Sequence, residues 1–260
     1  MPDTEAAGRT QADQAAGLRR LLMTRQTRLL ALSGADADRV APLALQLALA
    51  SGMDGSRVLM IDLTRGALAR TLGCTLRYEL MHVIDADRSL EQVLLAGPQD
   101  IPLLPAARGV KALAQTWRGR ARFADYIEHA GKTPQLVIVV TPPELLDALA
   151  RLADHDTLLV VGSTDAVDLK TCYSALKHAH AVRTVPPRLV YADALHPGAA
   201  LEAHRRLSGT ARSFLGREPE TVGRLSSRAD RIACSGPPAV TVEALARQIR
   251  RWPAPVRAIR

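Results

Sequence analysis

One stretch near the start of the chain, LLALSGADADRVAPLALQLALA from Leu29 to Ala50, decides the fold. An apolar run ends at Ser33 and Gly34, a short polar loop follows, and an apolar helix begins after the loop. Strand, loop and helix in this order are the layout of a phosphate-binding unit in α/β proteins. The loop, however, holds two aspartates, no lysine and no glycine after Gly34, so its composition does not match its layout.

Outward from this stretch, short aliphatic runs alternate with helical stretches. The predicted strands are apolar on both faces, as in a buried parallel sheet, and they cover Arg28–Leu32, Val58–Asp62, Leu136–Thr141, Thr157–Val161 and Arg188–Tyr191. Apolar periodicity predicts helices over 39–51, 89–96, 110–130, 143–153, 165–180 and 198–214. Strands separated by helices imply right-handed crossovers, so we predict an α/β fold with a doubly wound, mainly parallel sheet.

Composition narrows the classes of partner. The chain has 260 residues, of which 47% are hydrophobic and 3% aromatic, so its core is aliphatic and a platform for stacking single-stranded nucleic acid is disfavoured. A net charge of +8 favours acidic partners.

The three cysteines form no CxxC pair, so the sequence predicts neither a disulfide framework nor a zinc site. No apolar run reaches the ~20 residues that span a bilayer, so we predict a cytoplasmic protein, with recruitment to the cell pole or inner membrane surface left open.

The C-terminal segment Val242–Trp252, VEALARQIRRW, predicts a last helix with an apolar stripe. The stripe consists of Val242, Leu245, Ile249 and Trp252, with arginines beside it. We favour a helix packed on the domain because the stripe is short. The alternative is a weak peripheral membrane contact by a basic amphipathic helix.

The N-terminal segment 1–24 is a polar tail with one amphipathic patch. Within it, DQAAGLRR runs from Asp13 to Arg20, and Leu18, Leu21 and Leu22 can share a helical face. Composition alone favours an inert tail that carries a chance amphipathic turn.

Taken together, these pieces resemble the MinD/ParA-like branch of P-loop ATPases and, within it, the FlhG (FleN) family of regulators of flagellar number. The similarity covers nearly the whole chain and is carried by four long segments and one short motif. The long segments are SGMDGSRVLMIDLTRGALARTLG, SLEQVLLAGPQDIPLLPAARGV, DTLLVVGSTDAVDLKTCYSALK and HRRLSGTARSFLG. The short one, DQAAGLRR, matches the tail motif DQAxxLR at every fixed position.

The resemblance implies two parts, an activator tail over 1–24 and a MinD-like domain over 25–260. It implies that the tail binds FlhF, a signal-recognition-type GTPase, and stimulates GTP hydrolysis. Gln14 could orient the attacking water in trans, because its amide both donates and accepts hydrogen bonds. The residues expected to contact FlhF are Asp13, Ala15, Leu18, Arg19, Leu21 and Leu22.

The same resemblance exposes a degenerate nucleotide loop. The family loop reads SGKGGVGKT, and an alignment without gaps keeps only Ser33 and Gly34. The positions of the two lysines, the glycine-rich run and the magnesium-binding threonine are taken by Ala35, Asp36, Ala37, Asp38, Arg39, Val40 and Ala41. Lysines neutralise the phosphates, the hydroxyl holds Mg²⁺ and the glycines let backbone N–H groups face the phosphates.

Other nucleotide-contacting positions have changed as well. Thr64, Val140 and Tyr191 stand where the family has an acidic residue, the Walker B aspartate and an asparagine. We therefore expect a pseudo-ATPase without ATP, Mg²⁺ or any other cofactor or metal, in which Asp36 or Asp38 caps the following helix and Asp62 is structural. Without an ATP switch we expect a monomer.

Three interpretations remain open on the sequence. The first is a degenerate FlhG that activates FlhF, with basal-body or regulatory proteins as further partners. The second is an ATP-independent MinD/ParA-like adaptor that binds membrane or DNA, of which nucleic acid is the less favoured. The third is a nucleotide-binding enzyme with an unusual loop, which the loop composition opposes.

Overall fold

The computed structural model describes residues 27–154, 157–163, 166–182, 187–192, 197–225 and 237–252. The tail over 1–24, with Gln14 and the expected FlhF contacts, lies outside the described residues.

In the described part of the chain, nine strands form one sheet. Their bounds are β1 Arg28–Gly34, β2 Val58–Asp62, β3 Leu95–Ala96, β4 Pro102–Pro105, β5 Leu136–Val140, β6 Thr157–Gly162, β7 Arg188–Tyr191, β8 Glu220–Leu225 and β9 Ala239–Val240. The strand order is β3-β4-β2-β5-β1-β6-β7-β8-β9. Only the edge pair β3–β4 is antiparallel. This confirms the predicted doubly wound, mainly parallel sheet.

Helices cover both faces of the sheet. Their bounds are α1 Ala37–Met53, α2 Ala67–Thr71, α3 Leu80–Ile84, α4 Leu90–Val93, α5 Ala107–Leu113, α6 Gly119–Ala130, α7 Leu146–Leu152, α8 Ala166–Val182, α9 Pro197–Leu215 and α10 Val242–Arg251. One core cluster lies between the sheet and helices α1, α2 and α10. The other lies on the opposite face of the sheet and contains residues of all the helices from α3 through α9.

The two cores explain why the central strands are apolar throughout. Along β1, Leu29 and Ala31 enter one core, whereas Leu30 and Leu32 enter the other. Successive side chains of a strand point to opposite faces, so a sheet covered on both sides needs apolar residues at every position.

The structure corrects several predicted boundaries. The predicted helix 89–96 ends at Val93, and β3 begins two residues later. The predicted helix 110–130 is two helices, because a turn separates α5 from α6. A Cβ at Gly119 would lie 1.9 Å from the Leu113 carbonyl oxygen, so the turn can close only on glycine.

Four strands were missed by the sequence prediction, namely β3, which fell inside the predicted helix 89–96, and β4, β8 and β9. β4 is only the four residues Pro102–Pro105, with proline at both ends, and β9 has two residues, so neither shows a periodic pattern. β8 contains Gly223 at a φ of 152°, beside a register shift at Leu189 and Val190 of β7. Proline and glycine are depleted in strands, which is why these segments read as loops.

Candidate functional site at the β1–α1 junction

The junction between β1 and α1 is two residues long. β1 ends at Gly34 and α1 begins at Ala37, which leaves Ala35 and Asp36 as the connection. Asp36 has extended backbone angles and its carboxylate accepts a hydrogen bond from the Asp38 N–H at 2.9 Å. The expected helix cap is therefore Asp36.

Asp36 also occupies the N–H groups that follow. Its backbone carbonyl accepts from the N–H groups of Arg39 and Val40, both at 3.1 Å. In a phosphate loop such first-turn N–H groups are directed at the anion. Here they are satisfied by one residue of the chain itself.

The positions aligned with the P-loop lysine and threonine face the core. Val40 is 2% exposed and Ala41 is fully buried, both in α1. A Cβ at Gly34 would lie 2.8 Å from both Val40 Cγ2 and the Val161 carbonyl oxygen. The helix thus packs directly on the end of the strand, and Val40 occupies space beside Gly34.

The charged side chains of the junction pair with arginines. Asp38 accepts from Arg70 Nη2 at 2.6 Å, which connects α1 to α2. Arg39 Nη1 donates to Asp168 of α8 at 2.9 Å and lies in ion-pair range of Asp36. These pairs are largely exposed and each contributes at most about 1 kcal/mol. Together they neutralise the carboxylates that the sequence placed near a triphosphate site.

Asp62 and Thr64 build the β2–α2 connection. Asp62 is buried and accepts from the Thr64 N–H at 2.8 Å, the Thr64 hydroxyl at 2.5 Å and the Leu68 N–H at 2.9 Å. The Thr64 hydroxyl oxygen in turn accepts from the Ala67 N–H at 2.9 Å. Both oxygens of Asp62 are committed to the start of α2, which supports its interpretation as a structural residue.

The remaining altered positions are also packed inside the domain. Val140 is 1% exposed and pairs in register with Leu32 and Asp62. Tyr191 is fully buried at the end of β7, and burial raises the pKa of its hydroxyl. Where the family carries polar groups, this chain has apolar or buried side chains.

A polar cluster around His204 was not predicted from the sequence. Nδ1 of His204 on α9 lies 3.2 Å from the Thr221 hydroxyl, 3.3 Å from the Ser208 hydroxyl and 3.5 Å from the Tyr191 hydroxyl. Burial lowers the pKa of His204, and Glu218 acts in the opposite direction. The acceptor nitrogen of a neutral imidazole can accept a hydrogen bond from one of these hydroxyl groups, and a bond from Thr221 or Tyr191 would connect α9 to β8 or β7.

The C-terminal stripe faces inward. Leu245, Ile249 and Trp252 are buried in the core that contains α1, and Val242 packs against that core. Arg28 donates to the carbonyl oxygens of Arg250 and Trp252, each at 2.6 Å. The structure thus has the packed arrangement of α10 that the sequence analysis favoured.

Two further sequence expectations concern metals and membranes. Across the described residues, no group of three or more His, Cys, Asp or Glu side chains could hold a metal ion. In the same part of the chain, no helix combines the length and the hydropathy needed to cross a membrane.

Comparison with known proteins relates the chain to solved structures only. No protein-family model and no curated protein matches the sequence. MinD of Aquifex aeolicus in its complex with MinC superimposes with a TM-score of 0.59 at 14% identity, over 89% of this chain and 98% of that one. Cobyrinic acid a,c-diamide synthase of Mycobacterium smegmatis with bound ADP and magnesium has a TM-score of 0.57 at 17% identity, over 87% and 95%.

A ParA family ATPase of Chlorobium tepidum has a TM-score of 0.56 at 17% identity, over 79% of this chain and 86% of that one. At such identities the likeness concerns the fold alone. The chain has the fold of the MinD/ParA-like P-loop ATPases.

Proposed function

We propose that this chain, built on the MinD/ParA-like fold, is a pseudo-ATPase of the FlhG type that activates the GTPase FlhF through its N-terminal segment. The proposal includes a monomeric, cytoplasmic protein without ATP or Mg²⁺. The proposed absence of nucleotide binding is supported by the two-residue β1–α1 junction. There, Asp36 accepts hydrogen bonds from the N–H groups of Asp38, Arg39 and Val40.

The active part of the proposal rests on the motif from Asp13 to Arg20. Hydrolysis of GTP requires an attacking water held in line with the γ-phosphate and stabilisation of the developing charge. The Gln14 amide is neutral and can both accept from and donate to that water. Asp13 would cap the short helix that the segment forms on binding, and Leu18 with Leu21 or Leu22 would dock that helix in an apolar groove of the partner.

Gly17 bears on how such a contact would form. Glycine lowers helix stability by about 1 kcal/mol relative to alanine, so the helix would depend on the partner for its stability. Ordering on binding reduces affinity per contact area and favours a transient complex. A GTPase activator needs to release its partner after hydrolysis, which fits this weak helix.

The GTP turnover of a cognate FlhF tests the activation. The full chain should raise turnover, and a peptide of residues 1–25 should do so alone. Gln14→Ala in the full chain should abolish the effect, whereas Gln11→Ala, outside the motif, should preserve it. Equal stimulation by Gln14→Ala and the unchanged chain would show that the catalytic assignment is wrong.

Calorimetric titration with ATP and Mg²⁺ tests the nucleotide-free part separately. We expect no saturable heat, because Asp36 accepts from N–H groups at the start of α1 and Val40 packs against Gly34. Saturable binding would overturn this part and revive the interpretation as a nucleotide-binding enzyme, whatever the result with FlhF.

A further inference from the structure

The turn between α5 and α6, residues 114–118, carries a tryptophan on the outside of the molecule. Trp117 is 86% exposed, whereas the chain's other tryptophan, Trp252, is 8% exposed. The residues beside it in the turn, Gln115, Thr116 and Arg118, are exposed too. Tryptophan combines a large apolar ring with a polar N–H, which suits it to a boundary between water and an apolar phase.

The turn is ordered by its own hydrogen bonds. The N–H and hydroxyl of Thr116 donate to the Leu113 carbonyl at 2.9 and 3.0 Å, and the Gly119 N–H donates to the Thr116 carbonyl at 3.1 Å. α6 is then anchored in the core by Phe123 and Ile127. The indole is consequently displayed by a preformed turn, which reduces the entropy lost on binding.

Cations surround the tryptophan along the chain. Residues 101–124 contain no aspartate or glutamate, and they contain Arg108, Lys111, Arg118, Arg120 and Arg122. Arg108 pairs with Glu79, and Arg120 pairs with Asp154.

The other three cations have no such partner. No carboxylate of the described residues lies in ion-pair range of Lys111, Arg118 or Arg122. The Arg118 guanidinium stacks 4.3 Å from the Trp117 ring, and Arg122 donates to the Tyr126 hydroxyl at 3.0 Å. Arg118 therefore stacks on the exposed indole, while Lys111 and the half-buried Arg122 lie nearby along the chain.

We propose that Trp117, with Lys111, Arg118 and Arg122, is a contact site for an anionic phospholipid surface. Tryptophan concentrates at the membrane interface, where its ring lies among headgroups and its N–H stays hydrated. Arginine and lysine near such a surface are attracted to anionic lipid headgroups, and guanidinium binds phosphate in a bidentate manner.

Composition favours lipid over a protein partner. An aromatic anchor of a protein interface is normally ringed by further contacts that exclude water. The exposed large hydrophobic residues in the described structure are Met53, Leu76, Trp117 and Phe214, and none adjoins Trp117 in sequence. Along the sequence, Trp117 is flanked by the exposed polar residues Thr116 and Arg118, and its ring contacts the Arg118 guanidinium.

This site is distinct from the one suggested by the C-terminal sequence. The stripe of α10 is packed in the core, and Arg28 binds the carbonyl groups at the end of that helix. Lipid contact at Trp117 leaves α10 in place and requires no nucleotide.

The test uses the full chain with Trp252→Phe, so that Trp117 is the only tryptophan. Vesicles of phosphatidylcholine with phosphatidylglycerol should shift Trp117 emission to shorter wavelength, protect it from an aqueous quencher and sediment the protein. Vesicles of pure phosphatidylcholine should cause none of these three effects: no emission shift, no protection from the quencher and no sedimentation. In the background that keeps Trp252, each cation removed should weaken binding to anionic vesicles about fivefold. The double variant Arg118→Gln with Arg122→Gln should therefore bind about 25-fold more weakly in the sedimentation assay.

Matched variants separate this site from general basicity. Arg205→Gln with Arg217→Gln removes the same charge from exposed positions elsewhere, and Phe214→Ala removes another exposed ring. Both should sediment with anionic vesicles nearly as well as the unchanged chain. Trp117→Ala should sediment several-fold less, because it loses the interfacial ring.

Three results would overturn the proposal. They are failure to sediment with anionic vesicles at low salt, sedimentation without any change in Trp117 emission, and equal losses in the control and test variants. A Trp117 response to duplex DNA but not to vesicles would assign the surface to nucleic acid instead.

Discussion

Val40 stands at the position of the P-loop lysine in the gapless alignment, and its side chain is 2% exposed. It shares a helix face with Leu43, Ala44 and Leu47, which are all buried in the same core. Positions i, i+3, i+4 and i+7 of a helix lie on one face, so the start of α1 at Ala37 directs residue 40 inward. The burial of position 40 is therefore set by where α1 begins rather than by which side chain stands there.

This register yields a prediction for Val40→Lys. The substitution should not create ATP binding, and it should destabilise the fold by more than about 3 kcal/mol because it buries a charge without a partner. Urea unfolding and calorimetry with ATP would measure the two effects. Gln46→Lys, at an exposed position of the same helix, should leave stability within about 0.5 kcal/mol of the parent. ATP binding by Val40→Lys would mean that the junction can reopen.

His204 gives a prediction about pH. Burial lowers its pKa in the folded state, so the unfolded chain takes up the proton first as pH falls. The stabilising contribution of the neutral imidazole is complete above the unfolded pKa of about 6.5 and is lost as pH falls from there toward the lower folded value.

Stability should therefore fall less steeply between about pH 7.5 and about pH 5.5 in His204→Gln than in the parent. Urea midpoints at several pH values would measure the slope. The exposed His129→Gln is the control and should keep the parental slope. Identical slopes in the parent and His204→Gln would contradict the role of burial at this site.

Among the elements, α10 is fixed at both ends. Thr241 caps its start by accepting from the Ala244 N–H at 3.2 Å. At its end, Arg28 of β1 binds two carbonyl groups, and the Arg188 guanidinium stacks 4.3 Å from the Trp252 ring. The two Arg28 hydrogen bonds span 222 and 224 positions of the chain and attach this amphipathic helix to β1.

We predict that Trp252→Ala lowers the free energy of unfolding by about 3 kcal/mol, since it leaves a cavity beside α1. Arg28→Gln should cost about 1–2 kcal/mol through the lost hydrogen bonds to the end of α10. Chemical denaturation measures both, and Trp117→Ala at the exposed turn should change stability by less than about 0.5 kcal/mol. Little effect of Trp252→Ala would indicate that α10 is loosely attached.

At the scale of the whole molecule, the central parallel sheet is that of the MinD/ParA-like fold, and side chains of this protein connect the helices around the β1–α1 junction. The ion pairs Asp38–Arg70 and Arg39–Asp168 connect α1 to α2 and α8 across the junction. The buried carboxylate of Asp62 fixes α2 to β2. The helices around the junction are thus joined to one another by ion pairs of the protein's own side chains.

The corresponding prediction is a protein indifferent to nucleotide. ATP with Mg²⁺ should change neither the molar mass in light scattering nor the thermal unfolding temperature. A ligand at one hundred times its Kd would stabilise the folded state by about 2.7 kcal/mol, so thermal unfolding is a sensitive assay. An ATP-dependent increase in mass would contradict the expected nucleotide-independent monomer.

The sequence by itself determined five strands of the sheet and the composition of the loop after β1. β1, β2, β5, β6 and β7 were predicted within a few residues, because strands buried on both faces must be apolar at every position. The absence of lysine, of threonine and of any glycine after Gly34 was likewise visible in the loop sequence alone. The apolar pattern of a strand and the residue types of a loop are both properties of short segments, so they can be read without knowing the tertiary contacts.

Only the tertiary structure decided where the helices begin and which distant side chains meet. The two-residue junction, the pairing of Asp38 with Arg70 and the hydroxyl groups around His204 depend on elements that the strand order brings together. The same holds for the burial of the α10 stripe, whose amphipathic pattern suits a core and a membrane equally. A periodic pattern of apolar residues indicates that one face of a helix is buried. Which surface buries that face depends on contacts with residues distant in sequence.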